Sequence, residues 1–289
     1  MNEIRFIDLF SGIGGFRLGL QQAGGFKCVW SCDNSTWANS IYLRRFKPDR
    51  GEHFSADIRK VDENKVPNHN LLTGGFPCQA FSYAGKRRGF EDTRGTLFFE
   101  IARIVKAKKP SILLLENVHG LLTHNQGRTF GSILQTLDEL GYDAEWQVLD
   151  SRGWIPQRRR RIFIVGHLRK RPTSLIFPIF EANEGCGQVD EETPYVSTLT
   201  KSYSADGYGV GRPHVIYDQP RFEGKGPMRA LTPLECERLQ GFPDGWTLGI
   251  PQSRRYEVLG NAVTVNVIEF LGKRILSLFT NPSSKEDET

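Results

Sequence analysis

Phe6-Ile7-Asp8-Leu9-Phe10-Ser11-Gly12-Ile13-Gly14-Gly15-Phe16 reads as a strand, a glycine-rich turn and the start of a helix. Glycines in such a turn let backbone amides approach a nucleotide-like ligand, and the helix N-terminus adds further N–H donors. The flanking sequence fits a sheet built around it. Apolar runs at 27–31, 70–73 and 112–115 alternate with amphipathic stretches at 16–23, 37–45 and 97–106, the βαβ rhythm of a parallel sheet covered by helices. Residues 149–150 and 161–165 read as later strands and 129–140 as another helix. The second strand runs into Asp33, near the spacing at which an acid takes ribose hydroxyls, and Asp57 follows near the end of a third. These residues do not separate NAD from an adenosine cofactor such as S-adenosylmethionine. A tight αβ turn with solvent-facing acids accounts for them as well.

The chain has 289 residues and is 38% hydrophobic, which supports a full core and excludes disorder as the main state. It has no apolar run of about 18 residues, and MNEIRFIDLF lacks a basic region followed by an apolar one. The expectation from these features is a soluble, cytoplasmic protein with no membrane partner. Five scattered cysteines without a C-x-x-C pair argue against a disulfide framework and against any metal site. Lys and Arg number 38 against 33 Asp and Glu, an excess that permits nucleic-acid binding without requiring it.

From about 172 to 226 the chain turns rich in Gly, Pro, Ser and Tyr and loses periodicity. Beyond it, Thr232-Pro233 starts a helix over 234–239, a turn follows at 241–245, and a last helix covers about 263–279. The division expected is a catalytic and cofactor-binding domain at 1–168, a small irregular domain at 169–253, and a segment at 254–289 returning to the first.

Cys78 follows the apolar strand at 71–72, at the carboxyl edge where open α/β sheets bind ligands. The strand at 112–115 runs into Glu116-Asn117-Val118, and Gln157-Arg158-Arg159-Arg160-Arg161 leads into another, with Arg159 and Arg161 alternating to one side. Singly, a free cysteine is usually a packing group and an arginine run a solvated face. Together, a thiol, a carboxyl and an arginine beside a nucleotide turn suit alkylation of cytosine C5. Addition of a thiolate at C6 turns the ring into an enamine. The acid assists at N3 and the arginine holds O2 as charge develops.

In order and spacing, DLFSGIGGF (8–16), Asp33, Asp57-Ile58, GFPCQAFS (75–82), RGTLFFEIARI (94–104), ENV (116–118), QRRRRIFIVG (157–166), RALTPLECERLQGFPD (229–244) and GNAV (260–263) resemble the cytosine-C5 DNA methyltransferases of bacterial restriction-modification systems. Only the stretch between Gly166 and Met228 matches poorly, and it corresponds to the family's target-recognition region. The resemblance implies a Rossmann-like methyltransferase sheet with helices on both faces and a small recognition domain. It implies an S-adenosylmethionine pocket lined by Phe10, Gly12 and Gly14, with Asp33 on the ribose, Asp57 and Ile58 by the adenine, and Leu97 beneath the cofactor. Cys78 would be the nucleophile, Glu116 the N3 partner, Arg159 and Arg161 the contacts to the extruded base and its surroundings, and Asn261 a brace. Thr198 would belong to the DNA-reading surface.

The long polar stretch after Cys78 then has a purpose. A base inside a duplex hides its C6, so it must be flipped out and enclosed. Residues 79–94 would be the closing loop, with Gln79 bordering the vacated stack and Ser82, Lys86, Arg87 and Arg88 meeting phosphates. The implied partner is double-stranded DNA, with a separate restriction endonuclease recognising the same site. Three rivals stand beside this reading: a tRNA cytosine methyltransferase on the same scaffold, an NAD-dependent oxidoreductase, which leaves Cys78 and Glu116 idle, and a catalytically dead DNA-binding regulator.

Overall fold

The computed structural model describes residues 3–54, 56–77, 97–169, 174–179, 214–216 and 228–280. Cys78, Gln79, Ser82, Lys86, Arg87, Arg88 and Thr198 lie outside the described residues. The elements run β1 (Ile4–Leu9), α1 (Gly15–Ala23), β2 (Phe26–Cys32), α2 (Thr36–Phe46), β3 (His53–Phe54), β4 (Leu71–Gly75), α3 (Leu97–Lys108), β5 (Ile112–Val118), α4 (Arg128–Glu139), β6 (Tyr142–Asp150) and β7 (Arg160–Leu168). They continue through β8 (His214–Ile216), β9 (Met228–Ala230), α5 (Pro233–Leu239), α6 (Gln252–Asn261) and α7 (Val265–Thr280).

β1 to β7 form one seven-stranded sheet in the order β3-β2-β1-β4-β5-β7-β6. The pairs from β3 through β5 are parallel, as the alternating rhythm predicts. β7 departs from that rhythm, being antiparallel to both β5 and β6. The reason is chain length: a parallel crossover takes a dozen or more residues, and 151–159 is too short to provide one. β8 and β9 pair separately and antiparallel.

Strand alternation sorts the core onto two faces. Ile7, Leu9, Leu72, Leu113 and Leu115 pack with Phe98 and Ile101 of α3 and Ile133 and Leu137 of α4. Ile4, Phe6, Leu71, Ile112 and Leu114 pack with Leu20 of α1 and Ile268 and Leu271 of α7. α1 and α7 touch at their glycines: a Cβ on Gly19 would lie 2.6 Å from the Ile268 Cβ, so alanine there would push the helices apart.

A third cluster joins Leu231, Cys236, Leu239, Phe242, Trp246 and Leu259 to Ile13, Ala38 and Ile41. α5 starts with the expected cap, Thr232 Oγ1 accepting from Glu235 N while Glu235 Oε2 accepts from Thr232 N at 2.7 Å. Trp246 Nε1 donates to Ile13 O at 3.0 Å and Arg45 Nε to Trp246 O at 2.8 Å. Packing is therefore continuous across position 253, and 231–250 braces the glycine turn from outside. Among the described residues, no helix is long and apolar enough to cross a membrane.

Candidate active site

The sheet's order reverses between β1 and β4, and ligands of open α/β sheets bind at the carboxyl ends of strands at such a point. The glycine turn leaves β1 there. Phe10 has φ 54°, a left-handed conformation that a non-glycine residue adopts only under local constraint. Gly14 has φ 86°, and a Cβ on it would lie 2.1 Å from the Phe46 ring, so glycine is required twice over. Asp33 faces the turn: Oδ2 accepts from Gly12 N at 2.8 Å and Oδ1 from Ser35 N at 2.7 Å. Burial raises the Asp33 pKa, and the amide bonds from Ser35, Gly12 and Asn34 oppose that rise. Each carboxylate oxygen has two acceptor sites, so a ribose hydroxyl can still bind.

Asp57 caps the one-turn helix Ile58–Lys60, and Ile58 is buried in the core. The Arg59 guanidinium folds back onto Asp57, with Nε 2.9 Å from Oδ1 and 3.1 Å from Oδ2, and these bonds push the carboxyl down to about 2. A ligand amine at Asp57 would share it with Arg59. Leu97 begins α3, partly buried against the same core.

The chemical edge lies on the neighbouring strands. β4 pairs Gly75 with Glu116 of β5, and β5 pairs Val118 with Arg161 of β7. Arg161 Nε is 3.0 Å from Glu116 Oε1. Asn117 Nδ2 donates to Phe76 O at 2.9 Å, fixing the chain where it leaves β4 through Phe76 and Pro77, directly before Cys78 in sequence. From the glycine turn to Glu116 is two strand spacings, about 10 Å, which seats a nucleoside-sized cofactor and a base side by side. Burial pushes the thiols of Cys28, Cys32 and Cys236 up to about 12 each, so none of them supplies a thiolate at neutral pH.

Arg159 is 3% exposed and its guanidinium donates to Gly260 O at 3.1 Å and Ala262 O at 2.8 Å. Burial, reinforced by Arg161, pushes it down to about 9, so it remains charged at neutral pH. It braces the α6–α7 junction, and the charges of Arg161 and Glu116 both act on it. Asn261 is exposed at the last position of α6, and Ala262 and Val263 of the GNAV motif lie in the turn before α7. Gln240 shares the bracing, donating to Leu259 O at 2.9 Å and accepting from Thr264 Oγ1 at 3.1 Å.

Sequence reading also missed a layer beneath Asp33. Asn39 Nδ2 donates to Asp33 O at 3.1 Å, and its Oδ1 lies 2.8 Å from His53 Nε2, while His53 Nδ1 lies 2.8 Å from Ser31 Oγ. Burial, and Arg17 nearby, push His53 down to about 4. The neutral ring thus donates from Nε2 and accepts at Nδ1. Asp8 was missed as well: fully buried, bonded by Thr73 Oγ1 at 3.0 Å and driven up to about 7 by burial, it was concealed in a strand that otherwise reads as apolar. Among the described residues, no group of three or more His, Cys, Asp or Glu could hold a metal ion.

The chain is 38% identical to the Type II methyltransferase M1.ScrFI of Lactococcus lactis subsp. cremoris, over 96% of this chain and 79% of that protein. It is 39% identical to the Type II methyltransferase M.NgoBI of Neisseria gonorrhoeae, over 97% and 95% of the two chains. Among solved structures it superposes on the S. pombe Dnmt2 methyltransferase with a TM-score of 0.77, covering 96% of this chain and all of that one at 20% identity, a likeness of fold. The C-5 cytosine-specific DNA methylase profile matches residues 4–204 and 180–277, and on that match and these identities the chain belongs to the C-5 cytosine-specific DNA methylase family.

Proposed function

We propose that the protein methylates C5 of a cytosine extruded from duplex DNA, with S-adenosylmethionine as donor and Cys78 as covalent nucleophile. The observation that carries this reading is the Glu116–Arg161 pair at the carboxyl edge, one strand from the chain leading to Cys78 and two from the glycine turn. The turn suits the donor: Gly12 and Gly14 leave room, Phe10 is held left-handed, and Asp33 keeps acceptor capacity for a ribose.

S-adenosylmethionine supplies an electrophilic methyl group on a sulfonium. The Cys78 thiolate adds to C6 and forms a C–S bond. Glu116 holds N3 as it gains a proton, and Arg161 orients Glu116 and steadies the charge on O2. C5 then takes the methyl group, loses its proton to a base, and the returning electrons expel the thiolate and restore the 5,6 double bond. Residues 79–94 close over the base, and 172–228 read the DNA sequence. The chain acts as a monomer in a prokaryotic cytoplasm, beside a separate endonuclease of the same specificity.

Bisulfite sequencing of plasmid DNA from cells expressing the chain tests this reading. It should show protected cytosines within one short motif. Absence of any protected motif, with methyl transfer to tRNA in a parallel assay, would assign the scaffold to RNA.

A further inference from the structure

Residues 174–179 follow β7 at the start of the stretch read as the recognition segment, and side chains of the outermost strand hold them. Glu145 Oε1 accepts from Ile176 N at 2.7 Å and Oε2 from Phe177 N at 2.9 Å. Two positions along β6, on the same face, Gln147 Oε1 accepts from Ile179 N at 2.8 Å and Nε2 donates to Ile179 O at 2.9 Å. His167 Nε2, 2.6 Å from Glu145 Oε1, fixes the carboxylate from β7. Burial opposes the Glu145 charge, yet the bonds from His167, Ile176 and Phe177 outweigh it and hold the carboxyl below its usual range. Ile176, Phe177 and Ile179 are buried in the core beneath α1 and α7, whereas Leu175 is exposed.

Neither side chain has a place in the chemistry. β6 is the edge strand, separated from β5 by β7, so Glu145 and Gln147 stand away from Glu116 and from the glycine turn. What they do is fix one end of a segment. Its other end is fixed independently, since Leu231 is buried in the third cluster and its carbonyl accepts from Tyr256 Oη at 2.7 Å. Residues 180–228 therefore start and finish on anchored chain, and the first anchor joins the buried Ile176, Phe177 and Ile179 to two polar side chains that take the place of a β-ladder.

We infer that Glu145 and Gln147 are positioning residues for DNA recognition: by clasping 174–179 they set where the recognition segment leaves the sheet, and hence how its base readers align with the cytosine at Glu116. The inference rests on the reading of 172–228 as the DNA-reading segment. A clasp on the recognition segment should govern DNA affinity and site choice while leaving cofactor binding and chemistry alone. A clasp with only a structural role should lower all of them together.

The test uses the full chain carrying Gln147→Ala, Glu145→Gln, or both, with duplexes bearing the bisulfite-mapped site or a one-base mismatch of it. In the double variant KM for the cognate duplex should rise about tenfold and cognate-over-mismatch preference should fall about tenfold. S-adenosylmethionine affinity by calorimetry and the single-turnover rate at saturating DNA should stay within about threefold of wild type. Either single variant should show a smaller shift of the same kind, which carries the comparison if the double variant melts without cooperativity. A folded variant with unchanged KM and site preference would overturn the clasp, as would parallel losses in cofactor affinity and rate. A wild type inactive on every duplex would instead overturn the methyltransferase reading, and the clasp's role with it.

Discussion

Arg161 Nε sits 3.0 Å from Glu116 Oε1 across the β5–β7 pair, with the two side chains 15% and 13% exposed. A base brought to this pair would meet it in a largely dry site, where a charged hydrogen bond counts for more than in water. Glu116→Gln keeps the shape and removes the acid, so the single-turnover rate should fall by about 10² to 10⁴ while cofactor affinity holds. Arg161→Lys should give a smaller loss, since it keeps the charge but not the planar fork. A Glu116→Gln rate within a factor of two of wild type would remove Glu116 from the chemistry.

Asp33 braces Gly12 and, on the proposed reading, would also hold the ribose. Asp33→Ala should weaken S-adenosylmethionine binding by about 1.5 to 3 kcal/mol, the worth of a hydrogen bond to a charged group. Because Gly12 N also loses its acceptor, the apo protein should melt a few degrees lower, while DNA affinity without cofactor should change little. Calorimetric titration with unchanged cofactor affinity would take Asp33 out of the pocket.

The legible parts of the sequence were those that local chemistry writes directly. A glycine turn after an apolar strand announced the reversal at β1, and Thr232-Pro233 announced α5. Glu116 was readable because it ends a strand at the carboxyl edge, whereas Arg161 reaches that edge because β7 runs antiparallel and enters the sheet there. The bonds from Arg159 to the Gly260 and Ala262 carbonyls were not legible, because backbone carbonyl partners leave no trace in side-chain pattern. The direction of β7 follows from the length of 151–159, a quantity that apolar periodicity does not register. Asn39 and His53 meet on different elements, and nothing in their spacing foretells the contact.

Asp8 makes the fold sensitive to pH in a defined direction. Its pKa is about 7 in the folded protein against 3.8 in the free carboxyl, with burial as the main cause. The stability linked to this group is complete below pH 3.8 and is lost as pH rises through 7. Asp8→Asn mimics the protonated form and keeps an acceptor for Thr73, so it escapes that loss. Denaturant unfolding at pH 5 and pH 8 should show the variant gaining about 2 to 3 kcal/mol on wild type between the two conditions. A pH-independent difference would place the Asp8 titration elsewhere.

The covalent route through Cys78 is tested most directly by trapping. Fluorine at C5 cannot leave as a cation, so a cognate duplex carrying 5-fluorocytosine should accept the methyl group and then hold the enzyme at C6. A denaturing gel should show a protein–DNA adduct that requires S-adenosylmethionine and disappears in Cys78→Ser, because a hydroxyl is far less nucleophilic than a thiolate. An adduct that persists without Cys78, or a wild type that methylates the normal site yet forms none on the fluorinated one, would contradict the account.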